Sequence, residues 1–181
     1  MFNLENYKKN TIHFYSPKSG ALTVTKNGEY LTLNFPADVI EKITVSDEIT
    51  NCFDLKPESV YKGKSDYLFV FEKEEDIINI RPAYDEIVKL DSRGVIITAK
   101  GKNADFVSRF FAPQSGVNED PVTGSAHTTL TPYWSKQLGR SDLTAIQLSQ
   151  RKGYLKCRFL NDRVEITGQG KLYLTGEIYL E

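Results

Sequence analysis

Arg109-Phe110-Phe111-Ala112-Pro113-Gln114-Ser115-Gly116-Val117-Asn118-Glu119-Asp120-Pro121-Val122-Thr123-Gly124-Ser125-Ala126-His127 is the stretch on which the fold turns. Its opening ends an apolar strand pattern over 105–111. Its middle is a loop rich in Pro, Gly, Asn and acidic residues. Its end begins a helix expected over 125–138. Asp120 precedes a proline, which pushes its backbone toward an extended conformation. Gly124 permits a close backbone approach or a positive φ, and Thr123 or Ser125 can cap the helix. The opening amides of that helix lack internal partners and carry partial positive charge, so a carboxylate or enolate oxygen can bind there. Abstraction of a proton next to a carbonyl requires a base together with donors for the developing negative charge, and this segment offers both. By spacing alone, an Asp and a Gly before a helix are more often simply a cap and a turn.

The flanks of this segment read mostly as strands. Downstream, Gly139 is a natural helix stop, and Pro132 removes one donor from the helix, frees the Thr128 carbonyl and is expected to bend it. Strands are expected over 144–149, 154–159, 163–167 and 171–180. Upstream, 11–15, 21–25 and 30–35 alternate, with a turn over 16–20 and a hairpin turn at Asn27-Gly28. Further strands are expected at 59–62, 67–71 and 94–99, and short helices at 74–80 and 84–90. Strands outnumber helices and a single helix is long, which predicts an α+β fold in which a curved, mixed or antiparallel sheet wraps one central helix.

The chain has 181 residues, enough for a hydrophobic core without staples. Lys and Arg number 23 against 24 Asp and Glu, so no one-signed field exists to attract nucleic acid or an anionic membrane. The two cysteines, Cys52 and Cys157, make neither a disulfide framework nor a zinc site, and two histidines without ligand spacing supply no metal centre. No apolar run approaches membrane-spanning length. A soluble, cytoplasmic protein is expected.

Arg109 to Pro113 followed by Gly116 to His127 resembles the C-terminal-lobe signature of the PhzF-like family of phenazine biosynthesis proteins. Pro132-Tyr133-Trp134, Gln150-Arg151 and Val164 to Gly170 are similar to the same family, and Ser19 to Val24 with Asn34 to Ala37 resemble strands that close its N-terminal lobe. The resemblance implies a fold like diaminopimelate epimerase, with two lobes, each a sheet around a helix, and a site between them. It implies residues 1–40 as the end of the N-terminal lobe, 41–168 as the C-terminal lobe and 169–181 as closing strands. It also implies an isomerase or epimerase acting by proton transfer on a small carboxylated metabolite, with no cofactor and no metal. Asp120 would be the catalytic carboxyl, with the Gly124 amide and the Ser125 side chain holding a substrate oxyanion and Thr123 beside them. The family's first-lobe glutamate and Gly-His loop have no counterpart in this sequence, and Lys152 stands where the family has a glycine-like residue. The alternative is a non-catalytic, truncated paralogue that binds a small acid or pairs with a complete partner. Either way the N-terminal strands are expected to pack on a second copy or a complementary lobe.

The remaining signals are read as structural. Gly63-Lys64-Ser65 echoes the end of a phosphate-binding loop, but Glu58 stands where such a loop needs its first glycine. His127 reads as a buried or capping residue, and Trp134, Tyr133, Phe110 and Phe111 as core. Cys52 and Cys157 read as small hydrophobes rather than an acid/base thiol pair.

Overall fold

The computed structural model describes residues 8–177. Alternating residues at the N-terminus form β1 (Thr11–Ser16), β2 (Gly20–Asn27) and β3 (Tyr30–Pro36). The hairpin turn falls one residue later than expected. Asn27 pairs with Tyr30, so the loop is Gly28-Glu29, with Gly28 at φ 58°. A glycine at the first loop position suits the turn that follows the twist of the strands. There follow β4 (Glu41–Ile43), α1 (Asp47–Thr50), β5 (Ser59–Lys62), β6 (Asp66–Val70), α2 (Glu74–Asn79), α3 (Tyr84–Ile87), β7 (Gly94–Lys100) and β8 (Phe106–Phe111). The long helix α4 (Gly124–Leu138) ends on Gly139 in the left-handed conformation, as the sequence indicates. β9 (Asp142–Gln147), β10 (Gly153–Leu160) and β11 (Arg163–Gln169) complete the fold. Neither β4 nor α1 was expected. The strand expected over 171–180 is not formed where the chain is described: residues 170–177 carry no strand, and 178–181 lie outside the described residues.

All eleven strands join one sheet in the order β1-β2-β3-β11-β10-β9-β8-β7-β6-β5-β4. Its pairs are antiparallel except β6–β7 and β8–β9. Adjacent parallel strands need a crossover connection. α2 and α3 bridge β6 to β7 on one face, and α4 bridges β8 to β9 on the other. β7 is therefore covered on both sides, and six of its seven residues are buried. Val95, Ile97 and Ala99 pack with Ile77 of α2 and Ile87 of α3. Ile96 packs on the other side with Leu130 and Trp134 of α4. α4 touches β3, β11, β10, β9 and also β6, strands from distant parts of the order, so the sheet curls around it. This is the wrapped-helix α+β architecture the sequence implies.

Two polar details fix α4 in its groove. Pro132 has no N–H, so the Thr128 carbonyl has no partner within the helix. The Asp38 amide, just past β3, donates to it at 3.1 Å, and Thr129 Oγ1 donates to the Asp38 carboxylate at 2.9 Å. The proline thus creates the docking point for the segment leaving β3. Deeper in the core, Trp134 lies parallel to Phe106 with ring centres 5.9 Å apart. Its Nε1 donates to Thr98 Oγ1 at 2.9 Å, and Thr98 in turn donates to the Val107 carbonyl at 2.7 Å. A buried indole N–H needs such a partner.

His127 is a core residue of α4, in line with its reading from sequence. The Thr123 carbonyl can only accept, so Nδ1, 2.8 Å away, carries the ring proton. Nε2 is buried without a partner. Burial pushes the imidazole pKa from 6.5 down to about 4, against the smaller raising effect of the Thr123 bond. In the unfolded chain the ring takes up a proton near pH 6.5, whereas in the fold it resists until about pH 4. Its contribution to stability is therefore intact above pH 6.5 and is lost as pH falls toward 4. The loss is on the order of 3 kcal/mol. His127→Gln, which keeps a donor for the Thr123 carbonyl, should flatten this fall between pH 7 and 5 in urea titrations. The same pH dependence in both proteins would refute the assignment.

Lys152 lies at φ 53°, a left-handed conformation that is unfavourable for a residue with a Cβ. The next residue, Gly153, packs so closely on Val122 that a Cβ there would overlap the valine methyls. Lys152→Gly should raise stability by up to about 1 kcal/mol, the relieved strain being partly offset by glycine's greater freedom when unfolded. An unchanged or lower urea midpoint would show that the turn carries no such strain.

Candidate functional site

The 109–127 segment leaves the carboxyl end of β8 and returns along α4, which places it beyond the strand ends where open α/β sheets commonly hold ligands. Its root is anchored by Arg109. The guanidinium forks onto Glu119, Nε to Oε1 at 2.7 Å and Nη2 to Oε2 at 2.9 Å. Its Nη1 caps the Ile77 and Ile80 carbonyls at 3.1 and 3.2 Å. Paired, charge-assisted bonds of this kind fix geometry as well as energy. Glu119 is thereby committed to structure, and its neighbour Asp120 is turned the other way. The Asp120 amide donates to the Phe110 carbonyl at 3.0 Å.

Gln147, fully buried on β9, secures the next turn of the loop. Its Oε1 accepts from the Thr123 amide at 2.8 Å. Its Nε2 donates to the Asp120 carbonyl at 2.7 Å and to Thr123 Oγ1 at 3.2 Å. Ser149 Oγ donates to the Pro121 carbonyl. Thr123 Oγ1, occupied as an acceptor by Gln147, donates its own proton to Asp120 Oδ2 at 2.5 Å. Thr123 stands at the N-cap position of α4, yet its side chain makes no bond to the helix amides. The cap expected from Thr123 is absent because Asp120 takes the hydroxyl, and Ser125 lies within the helix.

The four residues singled out from the sequence are placed as follows. Asp120 is half-buried and joined to Thr123, which is itself buried. Gly124 faces β3, where a Cβ would sit 3.4 Å from Leu33 Cδ1. Ser125 lines a cavity of about 360 Å³ formed with Asp38, Asp66 and Arg93. Arg93 is held above the ordinary guanidinium range, first by its hydrogen bond to Asp66, against partial burial, and then by the charges of Asp66, Asp38 and Asp120. Asp120, Thr123 and Gly124 are not among the residues that line this cavity. Arg109, Glu119, Gln147 and Ser149 were not expected as supports. Gln147 had a legible signal: in Leu143, Ala145, Gln147 it is the polar residue on the inward phase of a strand.

Burial pushes the Cys52 thiol up to about 11 and the Cys157 thiol up to about 12, so neither is a ready thiolate. Among the described residues, no group of three or more His, Cys, Asp or Glu is arranged to hold a metal ion. No helix among them is long and apolar enough to cross a membrane.

Known proteins resemble this chain in sequence and in fold. A curated relative in Pseudomonas aeruginosa, named as an uncharacterized isomerase, is 41% identical over 166 residues, covering 92% of this chain and 64% of the relative. Another from Halalkalibacterium halodurans, similarly named, is 39% identical and covers 93% of the chain and 64% of its own length. The chain therefore spans less than two thirds of these relatives. A crystal structure of a phenazine biosynthesis protein of the PhzF family from Enterococcus faecalis superposes with a TM-score of 0.89 at 42% identity, covering 99% of this chain and 68% of that one. A predicted epimerase of Pseudomonas aeruginosa shares the fold, with a TM-score of 0.64 at 17% identity. With residues 5–176 also matched by the family model described as phenazine biosynthesis-like protein, the chain belongs to the PhzC–PhzF family.

Proposed function

We propose that this chain carries the C-terminal-lobe half of an isomerase or epimerase site that moves a proton on a small carboxylated metabolite without a cofactor. The carrying observation is the bond from Thr123 Oγ1 to Asp120 Oδ2 at the uncapped start of α4. In this reading Thr123 engages one carboxylate oxygen and leaves Oδ1 to exchange a proton with the substrate carbon. Removing that proton sends charge onto the neighbouring carbonyl or carboxylate, and the Gly124 amide with the Ser125 side chain receives it. Fixed donors at a helix start do so without reorganisation during the reaction. A matching acid on the opposite face of the substrate comes from a complementary lobe. The name isomerase that the curated relatives carry is in keeping with this chemistry.

The alternative reading is a non-catalytic paralogue that binds a small acid or pairs with a complete partner. Solvent exchange separates the two. Incubated in D₂O with a panel of small carboxylic acids, the protein should place deuterium on carbon in at least one, and Asp120→Asn should slow this by about 100-fold or more. No exchange in any acid, with binding that survives Asp120→Asn, would establish the second reading.

The same proposal includes association through the N-terminal strands. Ile12, Val24, Leu33 and Ile166 form one apolar row across four strands, and beside it Phe14 is 46% exposed. The inner end of the row, Leu33 and Ile166, packs in the core with α4, and a second copy of the chain covers the outer end around Phe14. Sedimentation should show a concentration-dependent dimer that Phe14→Lys weakens, and a monomer at every concentration would rule it out.

A further inference from the structure

The cavity beside Ser125 has a second wall that the proton-transfer chemistry does not use. Two turns far apart in sequence bring Lys18-Ser19 and Lys64-Ser65 to it, the first from the β1–β2 turn and the second from the β5–β6 turn. Gly63-Lys64-Ser65 is the fragment whose likeness to a phosphate-binding loop fails at Glu58, and here it faces a cavity rather than opening a helix. The cavity's carboxylates are already engaged. Asp66 is buried and paired through both oxygens with Arg93. Asp38 accepts from Thr129 Oγ1 at 2.9 Å and from the Lys64 amide at 3.2 Å. Lys64 Nζ donates to the Lys18 carbonyl at 3.3 Å, which holds the two turns together and leaves two of its three protons for a ligand. Three cations, Lys18, Lys64 and Arg93, thus stand on the cavity against two spoken-for acids, with Ser125 beside them.

We propose that Lys18 and Lys64 form a subsite for a second anionic group, so that the ligand of this site is a small dicarboxylate. This rests on the reading above for the first carboxylate, which lies at Ser125 and the start of α4. The second carboxylate points toward the two lysines. A cavity of about 360 Å³ has room for an acid of four to six carbons.

Binding tests this without requiring turnover. Glutarate and butyrate, a diacid and a monoacid of comparable length, are titrated into the full chain by NMR at constant ionic strength. Glutarate should bind about tenfold more tightly. Lys18→Met and Lys64→Met should each weaken glutarate about fivefold, a change of about 1 kcal/mol, and leave butyrate unaffected. Both side chains are exposed and Lys64 loses a single exposed hydrogen bond, so urea midpoints should move only slightly. Equal affinities for the two acids, a preference that survives the double variant, or no binding of either acid would each overturn the subsite. Deuterium exchange that persists alongside such a result would leave the proton-transfer reading standing on its own.

Discussion

One buried amide holds the site together. Gln147 spends both ends of its side chain on three successive features of the loop: the Asp120 carbonyl, the Thr123 hydroxyl and the Thr123 amide. An unpaired amide in such a place costs a few kcal/mol, so its bonds resist being broken singly. They also set the direction of a proton. Because Gln147 Nε2 donates to Thr123 Oγ1, that oxygen is left to donate onward, and the acceptor in reach is Asp120. A residue on a strand thereby orients a carboxyl on a loop, which is how a rigid scaffold confers precision on an irregular segment.

The topology explains why this strand and this loop meet. β8 and β9 are parallel neighbours, and Ser108 pairs directly with Gln147. The chain must leave β8, traverse α4 and re-enter beside its own starting strand. The loop at the top of β8 therefore lies over the end of β9, where Gln147 and Ser149 wait beneath it. Arg109, the residue directly after Ser108, faces the opposite side of the sheet, since side chains alternate along a strand. From there it grips Glu119 and two carbonyls of the α2 region. The loop is clamped from both faces of the sheet at once, and the adjacent acids Glu119 and Asp120 are drawn to different duties.

Much of this was legible in the residues, and the failures have physical causes. The long helix, its glycine stop and the proline-freed carbonyl follow from local chemistry, and the structure adds the Asp38 amide as the donor that meets that carbonyl. The hairpin at Asn27-Gly28 was recognisable but shifted by one, because glycine serves either central position of such a turn and pairing with β3 settles which. β4 escaped notice because three residues are too few to show alternation. Leu172-Tyr173-Leu174 has the alternation of a strand yet forms none, since a strand needs a neighbour and none of the described residues supplies it. At the site, Asp120 and Ser125 stood out in the linear sequence, whereas Gln147, Arg93 and Lys18 are joined to them only by the sheet.

The uncapped start of α4 gives these parts a common meaning. A helix stabilises itself by satisfying its first amides with its own N-cap side chain, and a threonine in that position ordinarily does so. Here the threonine turns away, toward a carboxylate, and forgoes roughly 1 kcal/mol of capping. His127 compounds the cost by leaving Nε2 without a partner in the same helix. A fold whose sheet curls around this helix and leaves the helix start without its side-chain cap gives up stability locally, and that cost is in keeping with the proposal that the helix start is kept for a ligand.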